Sequence, residues 1–444
     1  KDGIELVKEQ EKAQDSSLLP TLNVQNDIPK IIEFVDVEHL NIHGVPVQTC
    51  AQPTNTIIYF NAIANLDTNN LPHHLIPYLP LFSQVITKLG AGSMDRKQLD
   101  QEKLLRTGGL SVGVHSTLNP VNEKIFEKGL SFHSHCLERN LEQMINLWKD
   151  IFTGVRFDDD YDYLLQLIKM SSAEMAMSVS HHGHKYAMCR ASSSLHSLSN
   201  FNELTGGLVS LSNIRKEAAK ESAKEVVDHL KSIASIAFRQ NRLRIAINAE
   251  QHNISPALKH VERLIQSIPV NPSDPVVVQE NNDLNSKPLK EHHVFPFANN
   301  YLSKAQYCVP FSHPDYAKLK IASRLVTNRF LLREVREKGG AYGGGASFSL
   351  NGIYYFYSYR DPNTESTLET FNRAVDWMKN GKNYSDQDID EAKLSTFQEV
   401  DEPIPPGRKG MGIFTRGITY QMKQDYRVKL LNVTKNDIAD VALR

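Results

Sequence analysis

The chain has 444 residues, enough for two or more domains with sizeable cores. With 50 Lys+Arg against 51 Asp+Glu the net charge is −1, so no global field draws it to nucleic acid or to an anionic membrane; 40% hydrophobic against 23% charged residues is ordinary for a folded chain. No apolar run reaches the roughly 18 residues of a membrane span, and Cys50, Cys136, Cys189 and Cys308 stand far apart with no CxxC, which argues for free thiols in a reducing compartment and against a disulfide framework.

The sequence opens at Lys1, shows no signal or transit peptide, and reads as a piece of a longer polypeptide. Residues 1–29 are polar, with a short helix expected over Glu5–Ala13, and serve as a connector. Residues 30–66 are strand-rich and end in a strong strand, Thr56–Leu66. Pro72 opens a helix expected to reach Leu89, with Leu75, Leu79, Phe82, Val85, Ile86 and Leu89 on one buried stripe and Gly90 closing it. A second helix runs to about Leu105, followed by Thr107-Gly108-Gly109 and strands over Leu110–His115 and Gly129–Cys136. Helices are expected over Leu141–Phe152 and Tyr161–Met177, a loop and then helix over His181–Leu195, a helix over 216–237, a strand over Arg242–Ala249 and a helix over Pro256–Ile268.

Residues 269–293 carry four prolines among many Asn, Asp and Ser, which marks the domain boundary. This gives a module over 30–268 with a helical insertion, a linker over 269–293, and a second module over 294–444. In the second, a strand Tyr301–Pro310 precedes a helix that starts at Pro314 and runs to Lys338. Asn351-Gly352 is a two-residue hairpin signal of type I′. The return strand alternates, with Ile353, Tyr355, Tyr357 and Tyr359 on one face. A helix after Asn363 buries Leu368, Phe371, Val375 and Met378, and Ser385-x-x-Asp388 opens another. The last residues begin a helix that is cut off, so this module looks incomplete at its C-terminus.

Strand, helix, a Gly-Gly pair, two strands and a helix occur twice. Leu105–Gly113 lines up with Arg336–Gly344, and Trp148 and Trp377 fall near the ends of equivalent helices. The expected fold class is α+β: two related α/β modules, each a mixed or antiparallel sheet packed with helices.

The candidate site follows from this duplication. Arg336 lies in the last helical turn and Tyr342 just past Gly339-Gly340, whereas the first copy has Leu105 and Ser111 at these places. The fold itself therefore does not need the two polar groups. Five glycines in seven residues (339, 340, 343, 344, 345) strip the strand of side chains, which suits close approach by another extended chain. The substrate contacts expected are Arg336, Tyr342, Gly343 and Gly344. The glycines match no phosphate-binding pattern.

A zinc site needs two or three His or Glu ligands plus a carboxylate. Neither HxxEH nor HExxH occurs. His135-Cys136-Leu137-Glu138-Arg139 has Arg where a second ligand would stand; His181, His182 and His184 lack a supporting Glu or Cys; His73-His74 is followed by Leu75-Ile76-Pro77; and His292-His293 lies in the linker. The chain carries no self-sufficient metal site.

REKGGAYGGG (336–345) followed by NGI, YSYRDPNT, AVDW and DIDEAKLS, together with CAQPTN at 50–55, PLF and TKLG at 80–90 and TGG at 107–109, resembles the C-terminal half of the presequence-degrading mitochondrial members of the pitrilysin (inverzincin) family of zinc metallopeptidases. The resemblance covers nearly the whole chain. It implies a two-half clamshell enclosing unfolded peptides in the mitochondrial matrix. One zinc ion would be bound by the absent N-terminal half through an inverted HxxEH. This half would supply an Arg and a Tyr, which fall on Arg336 and Tyr342. It further implies that the fragment alone is inactive and that its partners are peptide substrates and the N-terminal half, with no nucleic acid and no membrane. A non-catalytic scaffold subunit built from the same modules is the alternative.

Overall fold

The structure is a computed structural model and describes residues 22–66, 71–270, 279–280 and 289–444. The helix expected over Glu5–Ala13 and most of the proline-rich linker lie outside them.

The first module is built on a mixed sheet. Strands β1 (Glu38–Ile42), β2 (Val45–Ala51) and β3 (Ile57–Asn65) come first. A helical turn His73–Tyr78 leads into α1 (Leu79–Val85), then α2 (Arg96–Arg106), β4 (Leu110–Leu118), β5 (Ile125–Leu137) and α3 (Leu141–Gly154). The long α4 (Tyr161–Ser192), α5 (Ser197–Gly206), α6 (Leu208–Ala218) and α7 (Lys224–Ala237) precede β6 (Leu243–Ala249) and α8 (Gln251–Ser267). The strand order is β1-β2-β6-β3-β5-β4; β2 and β6 are parallel and the other pairs antiparallel. One face carries Ile58, Phe60 and Ala62 into a core with Phe82, Phe132 and Trp148, whose indole N–H donates to Ser134 Oγ at 2.7 Å.

The second module contains β7 (Asn300–Tyr307), α9 (Tyr316–Val326), β8 (Gly343–Phe348), β9 (Ile353–Asp361), α10 (Glu365–Lys379) and α11 (Asp386–Val400). After them come α12 (Met411–Arg416), α13 (Tyr420–Leu431) and α14 (Lys435–Leu443). Its antiparallel sheet has the order β7-β9-β8, which repeats the order β3-β5-β4 of the first module. Its own core gathers Leu325, Val326, Leu331, Val335, Phe348, Phe356, Phe371 and Phe397. The second glycine of each Gly-Gly pair has positive φ, +125° at Gly109 and +79° at Gly340. Ser385 caps α11 in a reciprocal box with Asp388, as its sequence pattern requires.

Several local expectations are corrected. Pro77 and Pro80 lack the N–H of a continuous helix, so the stretch after Pro72 splits at Tyr78, although the whole apolar stripe from Leu75 to Leu89 is buried. There is no loop at His181; α4 continues to Ser192 with a kink at His182 (φ −126°, ψ 27°). The helix expected over 216–237 is two helices, broken at 219–223. On α10, Phe371 and Met378 are buried as expected, but Leu368 is 41% exposed and Val375 only partly buried; Thr367, Thr370 and Ala374 face inward instead. The hairpin is not type I′: Gly352 has φ +76° but Asn351 does not have positive φ, and Gly352 N–H closes the turn on Ser349 O. That is a three-residue loop with glycine in the left-handed place.

Two features tie the modules together. Residues 405–417 return to the first sheet and cross its outer face. Buried Asn248 donates through Nδ2 to Pro406 O (3.0 Å) and Lys409 O (2.8 Å), and Phe414 packs on Ile63 and Ala246. The other tie is α4, which lies against the second sheet. Tyr301 Oη donates to Ser180 O at 2.5 Å, a carbonyl at the kink, and His184 packs edge-on to Tyr359 with ring centroids 5.1 Å apart.

Candidate functional site

Helix α9 changes character at Thr327. From there to Lys338 it is a wider helix closed by i→i+5 bonds. Thr327, Leu331 and Val335, four residues apart, share the seam toward β8, and Arg336 beside them is turned to solvent. The helix ends in a Schellman-like close: Gly340 N–H bonds Arg336 O at 3.0 Å and Ala341 N–H bonds Val335 O at 3.1 Å. Gly340 supplies the positive φ. Asn363 Nδ2 donates to Gly339 O at 2.6 Å and fixes the pair from the far end of β9.

Tyr342 follows at once. Its N–H bonds Arg360 O at 3.2 Å, and its ring stands edge-on to Tyr359 with centroids 5.6 Å apart. The side chain is 67% exposed. Among the described residues neither the Tyr342 hydroxyl nor the Arg336 guanidinium has a hydrogen-bond or ion-pair partner, so both are free to meet a ligand. The structure thus brings Arg336 and Tyr342 to the same corner, on either side of the helix close.

The two glycines in the candidate set separate. At Gly343 an added Cβ would meet nothing within 4 Å. Gly344 is buried, and a Cβ there would fall 2.8 Å from Val335 Cγ1. β8 is an edge strand, yet its edge is not open along its length. Thr327 Oγ1 accepts the Ala346 N–H at 2.8 Å. The glycine run therefore mainly serves close packing of helix on strand, and open space beside the backbone is shown at Gly343.

Sequence reasoning missed Arg360. It is exposed, has φ +48°, and its guanidinium lies 5.4 Å from the centroid of the Tyr359 ring. No residue type and no break in the strand pattern announces it.

Among the described residues no group of three or more His, Cys, Asp or Glu side chains is placed to hold a metal ion. His135 stacks on Tyr59, Glu138 accepts from Asn253, His74 packs on His229, His184 is covered by Tyr357 and Tyr359, and His293 bonds Glu291. These residues do not fit zinc. A cavity of about 430 Å³ lies elsewhere, between α12 and the first sheet, lined among others by Glu127, Arg244 and Phe414. There Glu127 is paired with Arg244 and His115. Burial works against the Glu127 carboxylate, but bonds from His115 and the bidentate Arg244 guanidinium hold its pKa down to about 2. Burial raises the Cys136 thiol to about 12 and the Cys308 thiol to about 11; all four cysteines are free. Among the described residues no helix is long and apolar enough to cross a membrane.

Comparison with known proteins bears on the family and the fold. The family of associated domains of the M16 peptidases, subfamily C, matches residues 1–216, and the family described as "PreP C-terminal domain" matches residues 290–443. A Xenopus tropicalis protein named "Presequence protease, mitochondrial" is 40% identical over 466 residues, 99% of this chain and 45% of that protein. The proteins of the same name from Danio rerio and Drosophila melanogaster are 40% and 31% identical, over 45% and 42% of their lengths. The chain thus spans about 45% of the curated relatives it matches first. Among solved structures, a protease from Helicobacter pylori superposes with TM-score 0.66 at 11% identity (93% of this chain, 96% of that one), and a peptidase M16 inactive domain from Pseudomonas fluorescens with TM-score 0.66 at 16% identity (92% and 94%). At such identities these two establish the fold alone.

Proposed function

Because this chain belongs to the presequence protease group of the M16 peptidases and corresponds to its C-terminal part, we propose that it is the closing half of a zinc metalloendopeptidase that degrades presequences and other short unfolded peptides in the mitochondrial matrix. In this reading the catalytic ion belongs to the N-terminal half, and the task of the present half is to meet the peptide. One observation carries that role: a guanidinium (Arg336) and a phenol (Tyr342), both without a hydrogen-bond or ion-pair partner among the described residues, lie at the helix close next to the open space at Gly343.

Each group has its own task. Arg336 presents planar donors to a substrate carbonyl or carboxylate. Tyr342 Oη donates to the oxyanion that forms on the scissile carbonyl, a bond that strengthens in the transition state. Gly343 leaves room for the peptide backbone. Gly344 holds the strand against Val335 and contacts substrate only through its neighbours.

Reconstitution tests this function. The chain is mixed with an N-terminal half carrying HxxEH and assayed on a quenched fluorescent presequence peptide. Hydrolysis by the mixture, abolished by a chelator and absent from either half alone, is expected. Stable association without hydrolysis would favour the scaffold role, and chelator-sensitive hydrolysis by this chain alone would overturn the placement of the metal.

A further inference from the structure

In β9, the residues Tyr359 and Arg360 together oppose only Tyr301 of β7, since Leu302 pairs with Ser358 and Asn300 with Asp361. This is a β-bulge, and Arg360 occupies its left-handed place at φ +48°. Glycine fills such a place without steric cost. A long side chain there is strained and persists only where its surroundings over-determine it.

They do so here. The Asp361 carboxylate is fully buried and accepts from Thr367 Oγ1 and Asn363 N–H, both at 2.8 Å. Asn300 Nδ2 donates to Asp361 O at 3.1 Å, and Arg360 O receives the Tyr342 N–H. The bulge aims the Arg360 side chain out beside Tyr342. Both side chains rest on the same ring, Tyr359, which is backed in turn by Tyr301 and His184. Among the described residues the guanidinium has no carboxylate and no hydrogen-bond acceptor. The nearest acid in sequence, Asp361, is already consumed.

We propose that Arg360 is a second ligand-binding guanidinium at this corner and that it reads a carboxylate of the bound peptide. This rests on the peptide-binding role proposed above. A guanidinium propped on an aromatic face keeps its fork pre-organised, so a bidentate carboxylate costs it little further ordering. The carboxylate can be the C-terminal α-carboxylate or an Asp or Glu side chain.

Fluorescence anisotropy of a labelled peptide against the chain separates these. The peptide is made with a free C-terminus, with a C-terminal amide, and with its acidic side chains changed to amides. The chain is used as wild type, Arg360→Lys and Arg360→Gly. Wild type is expected to lose about tenfold in affinity for the form lacking the carboxylate that is read, which identifies the source. Arg360→Gly should bind all three forms equally and weakly, with a melting temperature equal to or above that of wild type, because glycine relieves the strained place. Arg360→Lys should fall between. A purely structural Arg360 predicts the reverse: a lower melting temperature and unchanged discrimination. Equal binding of the three forms by wild type, or undiminished discrimination in Arg360→Gly, would overturn the proposal. If wild type binds no form while remaining folded, the peptide-binding role itself fails and this inference goes with it.

Discussion

Gly343 and Gly344 are neighbours with opposite surroundings, and they show what a residue's chemistry can and cannot tell without its contacts. Gly344→Ala drives a Cβ to 2.8 Å from Val335 Cγ1, which should cost about 1–3 kcal/mol as overpacking. Gly343→Ala points into open space and should stay within about 0.5 kcal/mol while hindering peptide approach; urea melts of both variants check this. Glu127 gives a second prediction. Its folded pKa of about 2 lies below the ordinary 4.5, so its contribution is fully present above pH 4.5 and is lost as pH falls through 2. Glu127→Gln should therefore cost on the order of 3 kcal/mol near pH 7 and progressively less below pH 4. A pH series of urea melts that shows a constant difference would refute the linkage. Arg336 and Tyr342 were recognisable as candidates in the sequence because a second copy of the frame lacks them. Arg360 was not, because a left-handed place arises from how two strands register, and no residue type announces it.

At the scale of elements, alternation and glycine punctuation locate the strands well, and the β3-β5-β4 and β7-β9-β8 orders follow the internal duplication seen in the sequence. Errors arose where tertiary packing overrode local pattern. The inward face of α10 is set by Thr367, Thr370 and Ala374 as well as Phe371 and Met378, so the expected stripe is one position off at Leu368 and Val375. Residues 405–417 show no periodicity at all, and only the structure reveals them as a strap across the first sheet. Asn248 secures that strap through two backbone carbonyls. Asn248→Ala leaves both without their donor and should cost about 1–3 kcal/mol. Amide exchange should speed up selectively in and beside 405–417, measured by mass spectrometry; uniform acceleration would mean that the strap is not a separate unit.

Across the whole molecule, composition and the linker suggested two modules, but nothing in the sequence foretold how they dock. The kink of α4 does this work. Its Ser180 carbonyl is taken by Tyr301, and Gly183 lets the Tyr301 ring approach so closely that a Cβ would sit 2.3 Å from Cδ2. Gly183→Ala should lower the melting temperature and split or broaden the unfolding transition in calorimetry; an unchanged single transition would show that the contact does not couple the modules. Because Tyr301 also backs Tyr359, the docking reaches the ring on which Tyr342 and Arg360 rest. The most direct measurement of the function is kcat/KM of the reconstituted protease carrying Tyr342→Phe, with Arg336→Ala beside it and assembly monitored in parallel. A fall of about 10²-fold for the loss of one oxyanion donor, with assembly intact, is expected. Full activity in Tyr342→Phe would contradict the assignment of this corner as the substrate-facing site.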